Sequence, residues 1–348
     1  MSQNGPDERW AEFHSLIGTA QTIVFSTHVE PDGDGLGSQV AMYQFLSLRG
    51  KKCRILNPSP LPDAYLFLSD LAPFEYYDRA SHAHWLEHVD LAVIFDSGSY
   101  KRLAQLGEDL RRLTVPTFSL DHHPHPNPNG FVYTLHDVSA CATGYLLYEY
   151  MKYATARWGG DDGLTKEIAE GLYVALMTDT GSFRFNNTSA GAHQMASELI
   201  RLGIRPYDLY QRVYESTPVE RILLMADSLE TVRLTGGGKL AWFTVTREMI
   251  KKVGARPEYV SGFTDVVRSI RGVEVAVMVH ELTGDSCRVN FRSKGRVRID
   301  MVARRMGGGG HPFAAGTTVQ MGLEQAVEYV VSNTLRELES QMANGSAA

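Results

Sequence analysis

Three short apolar runs in the first half of the chain each hand over at once to aspartate or histidine. TIVFST at residues 22–27 leads into His28-Val-Glu-Pro-Asp32-Gly-Asp34-Gly, LAVIF at 91–95 into Asp96, and TFSL at 117–120 into Asp121-His122-His123-Pro124. Short apolar runs bounded by polar or turn-forming residues read as buried strands. CRILN at 53–57 is a further candidate. Between them the spacing turns helical, with Val40, Tyr43 and Leu46 on one face of a segment at 36–49, and again at about 142–156 and 165–178. Alternating strand and helix predicts an α/β fold with a mainly parallel sheet covered by helices. Ligands of such sheets bind beyond the carboxyl ends of the strands, so all three runs would deliver their acids and histidines to one pole.

The pattern changes after residue 205. Residues 206–228 read as a helical connector, because they hold few Gly or Ser residues. Strand candidates then cluster at 239–246, 273–282 and 286–293, followed by a short helix, a glycine run at 307–310 and a last helix at about 322–341. We expect two domains: a catalytic one over 1–205 and a smaller α+β substrate-binding one over 229–345. The site would lie in the cleft between them.

Composition narrows the functional classes. No run of 18 apolar residues occurs, so a membrane-spanning helix is not expected. The N-terminus is polar and lacks the apolar core of a secretory signal. The three cysteines, Cys53, Cys141 and Cys287, are scattered, which disfavours a disulfide framework or a thiolate zinc site and suits the cytoplasm. Lys and Arg number 34 against 40 Asp and Glu, for a net charge of -6. Proteins that grip long nucleic acid by its phosphates carry a basic surplus, so any nucleic-acid substrate should be short.

Each polar motif has an ordinary explanation when taken alone. Pro31-Asp32-Gly33 makes a turn, Asp96 before Ser and Gly can cap a helix, and adjacent histidines can sit on a surface loop. Asp179 closes an apolar helical run, where a carboxylate opposes the helix dipole and calls for a cation. Together the four motifs point to one site. Asp32, Asp34, Asp96 and Asp179 bring four negative charges, which two divalent cations would balance and which would otherwise repel one another. Oxygen and imidazole donors favour Mn²⁺ or Mg²⁺, with Zn²⁺, Fe²⁺ and Co²⁺ as alternatives.

The series HVEPDGDGLGS, FDSGS, LDHHP and MTDTGSFRF resembles the DHH phosphoesterase superfamily, and RVNFRSKGRVRIDMVARRMGGGGHPFAAG is similar to its associated C-terminal domain. Together these runs resemble the nanoRNase and phosphoadenosine-phosphate phosphatase branch. That resemblance implies two metal ions, Mn²⁺ foremost, with His28, Asp32 and Asp96 on one. Asp34, Asp96, His122 and Asp179 would hold the other, with Asp96 shared. It implies that Asp121 orients a histidine and that His123 contacts the substrate phosphate or leaving oxygen. Arg292, Gly308, Gly309, Gly310 and His311 would bind substrate, the glycine run (Gly307 included) presenting backbone N–H groups to an anion. The implied substrates are short oligoribonucleotides such as pApA, and 3′-phosphoadenosine 5′-phosphate. A homodimer is implied too, although no interface patch is legible.

The same motifs also serve cyclic di-AMP phosphodiesterases, and a pyrophosphatase branch shares the first half only. A catalytically silent nucleotide-binding module would be expected to lack some of the six ligands, and none is missing. The histidines of SHAHWLEH (His82, His84, His88) read as a surface helix. Met195, Met225, Met249 and Met301 read as core filler. Phe291 and Phe313 are considered as base-stacking residues, although each reads first as core. Arg296, Arg298, Arg304 and Arg305 could flank the substrate or form a solvated face.

Overall fold

The computed structural model describes residues 6–123, 130–159 and 163–345. Contacts divide the chain into two compact units, Met1–Ser216 and Thr217–Ala348. The boundary falls between two helices, Pro206–Tyr214 and Val219–Glu230, of the stretch read as a connector. None of the described helices is long and apolar enough to cross a membrane.

The first unit is built on a sheet of six described strands: β1 (Thr22–Ser26), β2 (Lys52–Asn57), β3 (Phe74–Tyr76), β4 (Leu91–Phe95), β5 (Thr117–Asp121) and β6 (Tyr133–His136). They lie in the order β3-β2-β1-β4-β5-β6, and every pairing is parallel. Alternation along β4 shows why both faces are covered. Leu91, Val93 and Phe95 enter one apolar core, which contains Phe25, Phe45 and Leu172, while Ala92 and Ile94 enter another with Leu103, Leu106 and Leu110. A strand buried on both sides must be apolar throughout, which is why LAVIF carries no polar residue. The strand order reverses between β1 and β4, and a crevice opens at such a switch point beyond the strand ends.

Two helices over the larger core touch backbone to backbone. A Cβ on Gly37, in the Gly33–Ser47 helix, would lie 2.3 Å from the Gly171 carbonyl oxygen. A Cβ on Gly171, in the Lys166–Asp179 helix, would lie 2.7 Å from the Gly37 carbonyl oxygen. The first helix begins next to Asp34 and the second ends at Asp179, so this contact sets the separation of two acids from distant motifs.

The second unit carries β7 (Arg233–Thr235), β8 (Leu240–Val245), β9 (Val275–Thr283), β10 (Ser286–Ser293), β11 (Gly309–His311) and β12 (Ala314–Val319), in the order β11-β12-β10-β9-β8-β7. Only β8 and β9 pair in parallel among these described strands. The glycine run is not all loop, because residues 309–311 form β11 against β12. Its glycines permit close approach: a Cβ on Gly308 would lie 2.2 Å from the Gly316 carbonyl oxygen, and one on Gly310 2.6 Å from that of Ala314. Two expectations need correction here, Met301 and Phe313 as core residues. Met301 is not core, being 44% exposed, because it lies on the outer side of the short Asp300–Arg305 helix. Phe313 is not core either, being exposed, whereas Phe291 is fully buried, as its first reading had it, and cannot stack on a base.

Candidate metal centre

β1 ends at Ser26, and the chain then buries His28. Its Nδ1 lies 2.8 Å from the Val29 carbonyl oxygen. A carbonyl only accepts, so this bond puts a proton on Nδ1 and points Nε2 at Asp96 Oδ2, 3.3 Å away, and at Asp32 Oδ2, 3.9 Å away. Asp32 caps the Gly33–Ser47 helix, its Oδ1 accepting from the backbone N–H groups of Asp34 and Gly35. The glycines here do not form a turn between Asp32 and Asp34. Gly33 and Gly35 are helical and make room instead, since a Cβ on them would lie 2.5 Å from the Thr178 side chain and 2.2 Å from Thr27 Oγ1.

Asp96 stands at the centre. It follows β4 in a left-handed conformation (φ 58°), which Asp tolerates better than most residues. Its two oxygens face opposite ways. Oδ2 meets His28, while Oδ1 lies 3.1 Å from His123 Nδ1 and 3.7 Å from His122 Nε2. His122 Nδ1 lies 3.2 Å from the Ala140 carbonyl oxygen, which directs Nε2 toward Asp34 Oδ2 and Asp179 Oδ2, each at 3.5 Å. That Nε2 is buried and makes no hydrogen bond. Asp121 hydrogen-bonds His123 through both the backbone N–H and Nδ1. Pro124, the end of the third motif, lies outside the described residues.

The donors form two neighbouring triads, His28–Asp32–Asp96 and Asp34–His122–Asp179, with Asp96–His122–His123 overlapping them; within each, the ligand atoms lie within 4.8 Å of one another. Burial, with Asp96 and Asp179 close by, raises the Asp34 carboxyl well above the ordinary range. Burial likewise pushes Asp179 up to about 6. Burial would also raise Asp96, but hydrogen bonds to His123 and His28 hold it low. Burial opposes charge on His123, yet its bonds to Asp121 and Asp96 outweigh this and carry it up to about 11. Mutually repelling carboxylates around an unpartnered imidazole nitrogen fit divalent cations, which would relieve both costs. Carboxylate and imidazole donors without thiolate suit Mn²⁺, Mg²⁺, Fe²⁺, Co²⁺ or Zn²⁺.

Sequence reasoning missed Thr143. Its backbone N–H and that of Gly144 donate to the two oxygens of Asp34, and its hydroxyl donates to Asp96. The only signal was a helix start, since Ala-Thr-Gly precedes an apolar helical run. Asn187, noticed only as following the fourth motif, donates to Asp179 Oδ2.

In the second unit, Arg292 on β10 and His311 on β11 both pair with Ala314 on β12. Laterally paired residues project from the same face, so the two side chains flank a small residue, roughly 10 Å apart across two strand spacings. The Arg292 Nε lies 3.6 Å from Asp265. Among the described residues, the histidines of SHAHWLEH do not form a site. His82 is buried and bonded to the Asp78 backbone, while His84 and His88 lie on the surface. Arg296, Arg298, Arg304 and Arg305 each have an acidic partner, in turn Glu274, Asp300, Asp300 and Glu337.

Known proteins align with this arrangement. Residues 22–176 match the DHH family N-terminal domain, and residues 243–339 match the DHHA1 domain. A bifunctional oligoribonuclease and PAP phosphatase NrnA from Thermus thermophilus is 29% identical, over 97% of this chain and 98% of its own. The protein of the same name from Bacillus subtilis is also 29% identical, over 88% and 92%. The crystal structure of an exopolyphosphatase-related protein from Bacteroides fragilis superposes with a TM-score of 0.88 at 25% identity, covering 97% of this chain and 98% of that one. With both halves matched in order, and with relatives aligned nearly end to end, the chain belongs to the DHH superfamily and carries a C-terminal DHHA1 domain.

Proposed function

We propose that this chain is a two-metal phosphoesterase that hydrolyses short oligoribonucleotides to mononucleotides and 3′-phosphoadenosine 5′-phosphate to AMP. The observation that carries the proposal is the split environment of Asp96, one oxygen toward His28 and the other toward His122, with the unpartnered His122 Nε2 facing two further carboxylates. His28, Asp32 and Asp96 would hold one cation; Asp34, Asp96, His122 and Asp179 would hold the other. Paired divalent cations supply charge neutralisation at the phosphate and make a water nucleophilic at neutral pH. The protein's own part is positioning. Asp121 orients His123, and His123 contacts the phosphate or the leaving oxygen. Relatives named for oligoribonuclease and PAP phosphatase activity support the substrate class, and the net charge of -6 supports a short substrate.

The test is hydrolysis by purified protein with Mn²⁺, comparing pApA, an oligoribonucleotide ladder, 3′-phosphoadenosine 5′-phosphate and cyclic di-AMP. Chelator-sensitive cleavage of pApA and the short ladder, with cyclic di-AMP spared, is the expected outcome. Preferential loss of cyclic di-AMP would replace the nanoRNase reading with the signalling one. Cleavage that survives chelation would remove the metals from the mechanism.

Arg292, with Gly308, Gly309, Gly310 and His311, is proposed to bind a substrate phosphate; projection of Arg292 and His311 from one face supports this. Arg292→Ala should raise KM for 5′-phosphorylated substrates by about tenfold to a hundredfold, the equivalent of ~1.5–3 kcal/mol for a hydrogen bond to a charged group. Steady-state kinetics on 5′-phosphorylated and 5′-hydroxyl dinucleotides checks it. An equal loss on both would assign Arg292 a structural role.

A further inference from the structure

One five-residue segment, residues 140–144 (Ala-Cys-Ala-Thr-Gly), touches the surroundings of four of the six acids and histidines at the centre. The Ala140 carbonyl oxygen lies 3.2 Å from His122 Nδ1. The Cys141 carbonyl accepts from Asn187 Nδ2 at 2.9 Å, and the same amide donates to Asp179 Oδ2 at 3.1 Å. Thr143 N–H donates to Asp34 Oδ2 at 2.7 Å, and Gly144 N–H to Asp34 Oδ1 at 2.9 Å. The Thr143 hydroxyl donates to Asp96 Oδ1 at 3.2 Å. His28 and Asp32 have no such link to this segment among the described contacts.

We propose that residues 140–144 are the positioning element of this centre, and that the Thr143 hydroxyl sets the orientation of the shared carboxylate Asp96. The proposal rests on the two-metal reading above. A carboxylate turns freely about its last bond, because that torsion has a broad energy profile. Asp96 has to present one oxygen to each side, so its rotation needs to be arrested. A hydroxyl on Oδ1 arrests it without adding charge. Thr143 also begins the Thr143–Trp158 helix, whose N-terminal N–H groups and dipole offset the cost of keeping Asp34 ionised while buried. Gly144 makes this approach feasible, since a Cβ there would lie 2.5 Å from the Ala175 Cβ. Residues that orient ligands in this way typically change metal affinity by about 10–100-fold when lost.

The test is calorimetric titration of the full chain with Mn²⁺, for wild type, Thr143→Val and Thr143→Ser, alongside kcat and KM for pApA. Thr143→Val keeps the shape and the backbone N–H but loses the hydroxyl. It should weaken Mn²⁺ binding at least about tenfold and lower kcat at saturating Mn²⁺, with KM little changed. Thr143→Ser restores the hydroxyl and should recover most of both. If Thr143→Val does not fold, Thr143→Ala set against Thr143→Ser makes the same comparison. Wild-type Mn²⁺ affinity in the hydroxyl-free variant would overturn the proposal and leave the metal centre standing. A wild-type protein that binds no Mn²⁺ would overturn both.

Discussion

Asp96→Asn should lower turnover of pApA by about 10²–10³-fold, the scale on which losing one preorganised electrostatic contact acts at an active site, while the fold survives. Asn is the informative replacement. It matches Asp in size and tolerates the left-handed backbone at this position (φ 58°), whereas Ala would add strain of roughly 1–2 kcal/mol and so blur the comparison. The amide removes one of four negative charges and turns one acceptor oxygen into a donor. Both oxygens of Asp96 are engaged, one toward His28 and one toward His122 and His123, so neither orientation of the amide reproduces the original contacts. Thermal unfolding separates catalysis from folding. Without Mn²⁺ the variant should be less stable than wild type, because the bonds to His123 and His28 that hold Asp96 ionised are lost, and relief of the repulsion on Asp34 offsets only part of that. With Mn²⁺ at 100 times its Kd, wild type should gain about 2.7 kcal/mol of stability, and the variant should gain much less. An Asp96→Asn enzyme retaining a tenth of wild-type turnover would contradict a shared carboxylate.

Gly37→Leu should destabilise the first unit by about 3 kcal/mol or more, the upper part of the range for overpacking a filled interior. A side chain there would start 2.3 Å from the Gly171 carbonyl oxygen and 2.8 Å from the Ala175 backbone nitrogen. Both obstacles are backbone atoms of a helix, so no rotamer relieves the clash and the helices must part. Better helix propensity returns only about 0.5–1 kcal/mol of this, too little to change the sign. At ~2–4 °C per kcal/mol for a unit of this size, the first unfolding transition should fall by roughly 6–12 °C. The same displacement should weaken Mn²⁺ binding, because Asp34 begins one helix and Asp179 ends the other. Differential scanning calorimetry with a Mn²⁺ titration reads both effects. An unchanged transition would mean that the two helices do not meet through these glycines.

Much of the centre was legible because of how strands work. A strand covered on both faces has to be apolar along its length, so the polar residue that follows it stands out. His28, Asp96 and Asp121 were found in that way. The left-handed Asp96 backbone was not, because the residues around it are ordinary strand-end residues. The role of the glycines was not legible for a related reason. A glycine that turns the chain and one that makes room for a neighbour look alike in sequence, and only the position of Thr27, Thr178 or Gly171 tells them apart.

The sequence by itself determined the parallel α/β class, the pole at which the acids and histidines collect, and the donor chemistry, because each depends on residue type and local spacing. Tertiary structure alone decided the strand order that opens the crevice between β1 and β4, and the contact of Gly37 with Gly171. It alone decided the approach of Thr143 to Asp34, 109 residues away along the chain. Those contacts run through backbone atoms, which every residue carries, so no residue type announces them until packing brings the segments together.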